Sequence, residues 1–300
     1  MLPISGHDSD MDPREVFSPA LHNQVRTVLD SFLAEHRSSD DAALAEGLVR
    51  TAGQMAHRLR EQGLTVEYKT SISDVVTEAD KASEYFVATA LQALRPNDGL
   101  LGEEGAQAAA DSGRTWVIDP VDGTYNFTNF SDYWCSALAL VEGDPHDPTD
   151  LLIGAVHRPV PSQTWVKAPG KATLRNGKPL PALTAAAAGT VSIGTYLHPT
   201  FMQRPEFLTP WSKVVAEFAC LRIAGAASVD LAGIAEGRLG GWMQHSVNDW
   251  DWLPGRALVE GVGGTTGEVT VGPVTWKVAG NEQTVATMVH VLQAAAAQVS

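Results

Sequence analysis

The sequence predicts a mixed α/β protein in which layers of helix pack on sheet. Three observations carry this. Long amphipathic helical patterns fill most of the first hundred residues, whereas short apolar runs such as Trp116-Val117-Ile118 stop abruptly in acid, proline and glycine. Beyond residue 190, strand-like and helical segments alternate, an order typical of layered folds. With 44% apolar and 19% charged residues in 300, there is material for a sizeable core, arranged as two domains or one large layered one.

In chain order, residues 1–19 are polar and proline-bearing and are expected to be poorly ordered. A helix then carries Leu21, Val25, Val28, Leu29 and Phe32 on one side. Caps at 38–41 open a second helix with Leu44, Leu48, Ala52, Met55 and Leu59 inward, and Gly63 stops it. Residues 65–70 alternate like a strand. Asp80 opens a third helix through Ala82, Phe86, Ala90 and Leu94, ended by Pro96. Leu100-Leu101 is a short strand delivering Gly102-Glu103-Glu104-Gly105, followed by the Trp116 strand. Strands near 135–141, 151–157 and 163–167 precede a turn at Asn176-Gly177. The alanine-rich segment 182–189 reads as a linker. Strands near 191–196 and 221–224 alternate with helices near 208–218 and 228–237, and a last helix runs from Asp251 to Glu260. The expected organisation is an N-terminal extension over 1–40, an α+β unit over 41–188 and an α/β unit over 189–300.

Twenty-one basic against thirty-five acidic residues give a net charge of −14. Such a field repels nucleic acid and anionic membrane, and neither is an expected partner. Only Cys135 and Cys220 occur, each among apolar neighbours and without C-x-x-C spacing, so both are read as buried thiols rather than zinc ligands or a disulfide. No signal-peptide pattern or membrane-length apolar run is present, and a cytoplasmic location is expected.

The chemistry is sought at Asp119-Pro120-Val121-Asp122-Gly123-Thr124. Two carboxylates flanking a proline repel one another unless a cation holds them, and hard divalent ions such as Mg²⁺ take oxygen ligands of this kind. Gly123 lets backbone approach a ligand, and Thr124 stands at a possible helix start, which favours anions. The same stretch also reads as a strand ending in an Asp-Gly turn with solvated carboxylates. Asp80, Glu103 and Asp251 likewise stand at ends of apolar segments. Singly they read as a helix cap, a surface acid and a first-turn charge. Gathered on one rim of a sheet they form a cluster that metal ions would have to neutralise.

Together these landmarks resemble the inositol monophosphatase family of Mg²⁺-dependent, lithium-sensitive sugar phosphatases. The matching stretches are Asp74-Val75-Val76-Thr77-Glu78-Ala79-Asp80, Gly102-Glu103-Glu104, Asp119 to Phe127, the Gly170 to Leu180 stretch, and Trp250-Asp251 ahead of Gly261-Val262-Gly263-Gly264. The resemblance runs from about Ala42 to the C-terminus. It implies an alternating α-β-α-β-α sandwich of the inositol monophosphatase and fructose bisphosphatase type, a homodimer, and hydrolysis of a small phosphorylated metabolite without a covalent intermediate. It also implies two or three Mg²⁺ ions, Mn²⁺ as a substitute and Li⁺ as an inhibitor.

Carried over, Glu103, Asp119 and the Val121 carbonyl would hold one ion; Asp119, Asp122 and Asp251 a second; and a weaker third would lie near Glu103. Gly123 and Thr124 would bind phosphate through their amides, while Thr124 and Asp80 would orient and deprotonate water. Lys69 would lend positive charge, and Asp74 would order its loop. Gly225 and Ala227 keep the small residues of the substrate pocket, but Ala226 lacks the family's usual hydroxyl. Gln244 stands where inositol phosphatases carry a glutamate, which opens histidinol phosphate as an alternative substrate. A metal-binding protein without turnover is a further alternative. His245 is read as a hydrogen-bonding or substrate-contact residue, and Trp242, Trp250 and Trp252 as packing rather than a stacking platform.

Overall fold

The computed structural model describes residues 18–63, 66–68 and 75–297. Expectations for residues 1–17, Lys69 and Asp74 lie outside the described residues. Helix α1 (Pro19–His36) is capped by Ser18, whose hydroxyl accepts the Leu21 N–H, and α2 (Asp41–Gln62) by Asp40, which accepts from Ala43. Gly63, at φ +104°, ends α2 where the sequence expects it. Short strands β1 (Val66–Tyr68) and β2 (Val75–Thr77) pair antiparallel. Helix α3 (Glu78–Leu94) begins two residues earlier than expected. Thr77 is its cap, and Asp80, three residues on, completes a capping box.

Strands β3 (Gly99–Gly102), β4 (Gln107–Ala108), β5 (Arg114–Asp122), β6 (Cys135–Asp144), β7 (Asp147–Arg158), β8 (Gln163–Lys167), β9 (Leu174–Arg175) and β10 (Lys178–Pro179) form one sheet in the order 10-9-8-7-6-5-3-4. Within it β3 and β5 run parallel and the other neighbours antiparallel. The five-residue helix α4 (Thr124–Thr128) follows β5 directly. A second sheet contains β11 (Ser192–Thr195), β12 (Cys220–Arg222), β13 (Gly241–His245), β14 (Thr265–Val271) and β15 (Val274–Gly280), in the order 12-11-13-15-14. Its helices are α5 (Pro205–Val215), α6 (Ala227–Ala235), α7 (Asp249–Glu260) and α8 (Glu282–Ala296).

Side-chain alternation along the central strands sets the layers. Trp116, Ile118, Leu138 and Leu140 face α1, α2 and α3, whereas Val117, Ala139 and Val141 face α6 and α7. The far side of the second sheet packs Met243, Trp276 and Val278 against Phe207 and Trp211 of α5 and Met288 and Leu292 of α8. The succession is helix, sheet, helix, sheet, helix, as the resemblance implies. Close approach is built in: a methyl group at Gly154 on β7 would lie 2.4 Å from the Pro254 carbonyl of α7.

Several elements go beyond the sequence expectations. β13 is a nearly continuous buried run with no alternation to announce it. β14, β15 and α8 also went unassigned, although Val285, Met288, Leu292 and Ala295 carry helical spacing. Cys135 is buried as expected. Cys220 is exposed, because β12 is an edge strand whose three residues all face solvent. Among the described residues, no helix is long and apolar enough to cross a membrane.

Candidate active site

Residues three apart in a regular strand face opposite sides of the sheet. In β5, however, Asp119 pairs with Ala137 and Asp122 with Cys135, so three steps on β5 oppose two on β6. This bulge re-aims the strand end. Carboxylate oxygens of Asp119, Asp122 and Asp251 then come within 4.8 Å of one another. Asp122 accepts N–H bonds from Ala227 (3.1 Å) and Ser228 (2.5 Å) at the start of α6. Asp251 stands in the first turn of α7, behind the cap Asn248, which hydrogen-bonds it. Asp119 accepts the Val121 N–H at Oδ1 (3.1 Å), but its buried Oδ2 has no hydrogen-bond partner among the described residues. Glu103, just past β3, lines the same cavity outside that tight triad.

Packing these acids together raises their proton affinity. Burial, then the charges of Glu103, Asp122, Asp251 and Asp80, push Asp119 well above the usual carboxylate range. Burial and the Asp122 charge lift Asp251 to about 7. Burial lifts Asp122 to about 6 against the opposing pull of its Ser228 and Ala227 amides. A cluster of hard oxygens containing an unpartnered buried carboxylate oxygen fits a divalent cation.

Asp80 and Thr124 lie alongside. Asp80 Oδ2 accepts from the Thr77 backbone (2.9 Å) and hydroxyl, leaving Oδ1 3.2 Å from the Thr124 hydroxyl. That hydroxyl also lies 2.9 Å from the Val121 carbonyl, and with a single proton it donates to one acceptor at a time. Burial raises Asp80 to about 7, against the Thr77 hydrogen bond. A buried acid poised near neutrality beside a hydroxyl can relay a proton.

The cavity measures about 500 Å³. Its lining combines the carboxylates Glu103, Asp119, Asp122 and Asp251 with Gly123, Thr124, Gly225 and Ala227, and with the larger Tyr196, His198, Ile223 and Gln244. Among the described residues that line it there is neither lysine nor arginine, and a bound metal ion would supply positive charge for an entering phosphate. Gly123, at φ +91°, would place a side chain 3.0 Å from the Ala226 methyl, so this position excludes anything larger.

The structure thus brings Asp80, Glu103, Asp119, Val121, Asp122, Gly123, Thr124, Gly225, Ala227, Gln244 and Asp251 to one place. His245 is elsewhere in character: it packs against Phe201, Phe207 and Trp276 and does not line the cavity. Trp242 and Trp252 are buried and stacked on each other at 5.5 Å. Two contributors went unsuspected. The Asn126 amide joins the halves of the cavity by donating to the Tyr133 and Ala224 carbonyls (2.9 and 2.8 Å). Tyr133 donates to buried Asp230, which also lines the cavity. An acid one turn inside the apolar α6 was the available signal for Asp230.

Comparison with known proteins decides the kinship. A model of the inositol monophosphatase family matches residues 38–298. The chain belongs to the inositol monophosphatase family. It is a phosphatase, a phosphoric monoester hydrolase. Its similarity to the inositol-1-monophosphatase of Rhizobium meliloti (strain 1021) is 30% identity over 206 residues, covering 68% of this chain and 75% of that one. Similarity to the Nus factor SuhB of Pseudomonas aeruginosa is 28% over 229 residues, covering 74% and 82%. The crystal structure of extragenic suppressor protein suhB from Bartonella henselae superposes with a TM-score of 0.73 at 25% identity, over 82% of this chain and 95% of that one.

Proposed function

We propose that this phosphatase is a Mg²⁺-dependent enzyme that hydrolyses a small phosphorylated polyol, inositol monophosphate first among them. The observation that carries this is the Asp119–Asp122–Asp251 triad, with an unpartnered buried Asp119 oxygen, set beside the Asp80–Thr124 pair. Glu103, Asp119 and the Val121 carbonyl would hold one ion, Asp119, Asp122 and Asp251 a second, and Glu103 would border a weaker third. Bound Mg²⁺ supplies charge neutralisation for the phosphoryl oxygens and acidity for the attacking water. The chain supplies the rest. Backbone N–H groups of Gly123 and Thr124 orient the phosphate, Thr124 Oγ1 accepts the water proton, and Asp80 Oδ1 receives the hydroxyl proton in turn. Gly225 and Ala227 leave room for the ring, and Gln244 hydrogen-bonds a hydroxyl.

The amide of Gln244, which donates as well as accepts, favours histidinol phosphate as the second substrate. Phosphate release from inositol 1-phosphate, histidinol phosphate, fructose 1,6-bisphosphate and 3′-phosphoadenosine 5′-phosphate, with Mg²⁺ and an Asp119→Asn control, decides between them. Failure on all four esters would point to a phosphate ester outside these classes, and the SuhB relative's name as a Nus factor leaves room for a further role beside turnover. Inhibition by Li⁺, support by Mn²⁺, a cytoplasmic location, a homodimeric light-scattering mass and the division of the chain at 40 and 188 belong to the same proposal.

A further inference from the structure

Glu84 lies on α3 one turn after Asp80, on the same buried face, with only 3% of its surface exposed. A carboxylate rarely occupies such a place without strong partners. Its Oε2 accepts the N–H of Glu104 (2.8 Å) and its Oε1 the N–H of Ala106 (2.7 Å). The turn between β3 and β4 is therefore wrapped around one side chain. Gly102 makes this possible: a methyl group there would lie 2.5 Å from the Glu84 carboxyl carbon. The turn closes on itself through Gly102 N–H to the Ala106 carbonyl (2.7 Å), and Glu103 is tied to β5 through the Ile118 carbonyl (3.2 Å). Glu103 projects into the cavity from between these anchors.

We propose that Glu84 is a positioning residue for the metal site, holding the 102–106 turn so that Glu103 faces Asp119. Charge-assisted bonds to two amides of one turn, those of Glu104 and Ala106, fix its orientation, which one neutral bond cannot. Since Asp80 and Glu84 share a helix, α3 also sets the separation between the proton-accepting pair and the Glu103 ligand. This inference rests on the reading of Glu103 as a metal ligand.

The test is calorimetric titration with Mg²⁺ alone, beside thermal melts of the metal-free proteins. Glu84→Gln keeps the shape but cannot accept from both amides as an anion, so Mg²⁺ binding should weaken about tenfold or more, the usual consequence of losing a ligand's support. The Mg²⁺ concentration for half-maximal activity should rise equally while kcat at saturating Mg²⁺ stays within about threefold. Gly102→Ala, which displaces an intact Glu84, should reproduce the binding defect and stands in if Glu84→Gln does not fold. Asp98→Asn is the control, since Asp98 is an equally buried acid that binds Trp116 and Arg114 away from the cavity. It should lower the melting temperature without changing Mg²⁺ affinity. Wild-type isotherms for both test variants, or an equal loss in Asp98→Asn, would overturn the role of Glu84. A wild-type protein that takes up no Mg²⁺ would overturn the metal-dependent reading and this inference with it.

Discussion

Asp119 is the residue at which activity and stability pull apart. Its charge is surrounded by Glu103, Asp122, Asp251 and Asp80, and one buried oxygen has no hydrogen-bond partner among the described residues. On the proposed reading, Asp119→Asn would remove a ligand shared by two ions and worth several kcal/mol of transition-state stabilisation. We expect kcat/KM to fall about a thousandfold. The metal-free variant should nonetheless melt higher than wild type at pH 8, because the repulsion is gone. A lower melting temperature would contradict this account. Thr124 is separable by kinetics. Thr124→Val loses the hydroxyl that faces Asp80, so kcat should drop by about 100-fold or more at similar KM, and Thr124→Ser should restore most of it. These residues were legible because the chemistry needs carboxylates at strand ends, and local motifs carry them. Glu84 and Asp230 were not: their partners stand 20 and 97 residues away, and a lone acid in an apolar stripe does not name its partner.

At the scale of elements, β7 carries a second buried titratable group. His157 bonds Thr164 through Nδ1, while Nε2 has no hydrogen-bond partner among the described residues and Gly53 of α2 packs on the ring. Burial, reinforced by the Arg50 charge, lowers it to about 4. Unfolded, it titrates near 6.5, so the unfolded chain binds the proton first as pH falls. Its contribution is full above pH 6.5 and is lost towards pH 4, up to about 3 kcal/mol. The carboxyls of the site titrate in the same window with the opposite sign, so the reading is the difference between two proteins: by urea unfolding, the stability advantage of wild type over His157→Gln should be larger at pH 7 than at pH 4.5. An advantage unchanged between the two pH values would remove His157 as a contributor. Helices α1 to α3 were readable because each is amphipathic and capped by local residues. β13 was not, since a strand buried on both faces lacks the alternation that marks one.

At the scale of the whole molecule, the site lies where the two sheets and α6 and α7 converge, and its charge balance links metal, pH and stability. Asp80 and Asp251 are raised to about 7 and Asp122 to about 6. Folded carboxyls therefore hold protons that the unfolded chain releases near pH 4, so metal-free stability should fall as pH rises from about 4 through 7. On the proposed reading, Mg²⁺ would replace those protons at the triad. The melting-temperature gain from saturating Mg²⁺ should thus be larger at pH 8 than at pH 6, and an equal gain would show that the acids are not coupled to the ion. What the sequence by itself determined is the family, the layered fold and the acids of the centre, since periodicity and short motifs are local properties. Only the tertiary structure decided that a bulge aims Asp119 and Asp122 together, that α6 caps Asp122, and that α3 supports the Glu103 turn. Those arrangements depend on contacts between segments distant in the chain, which pattern and spacing do not encode.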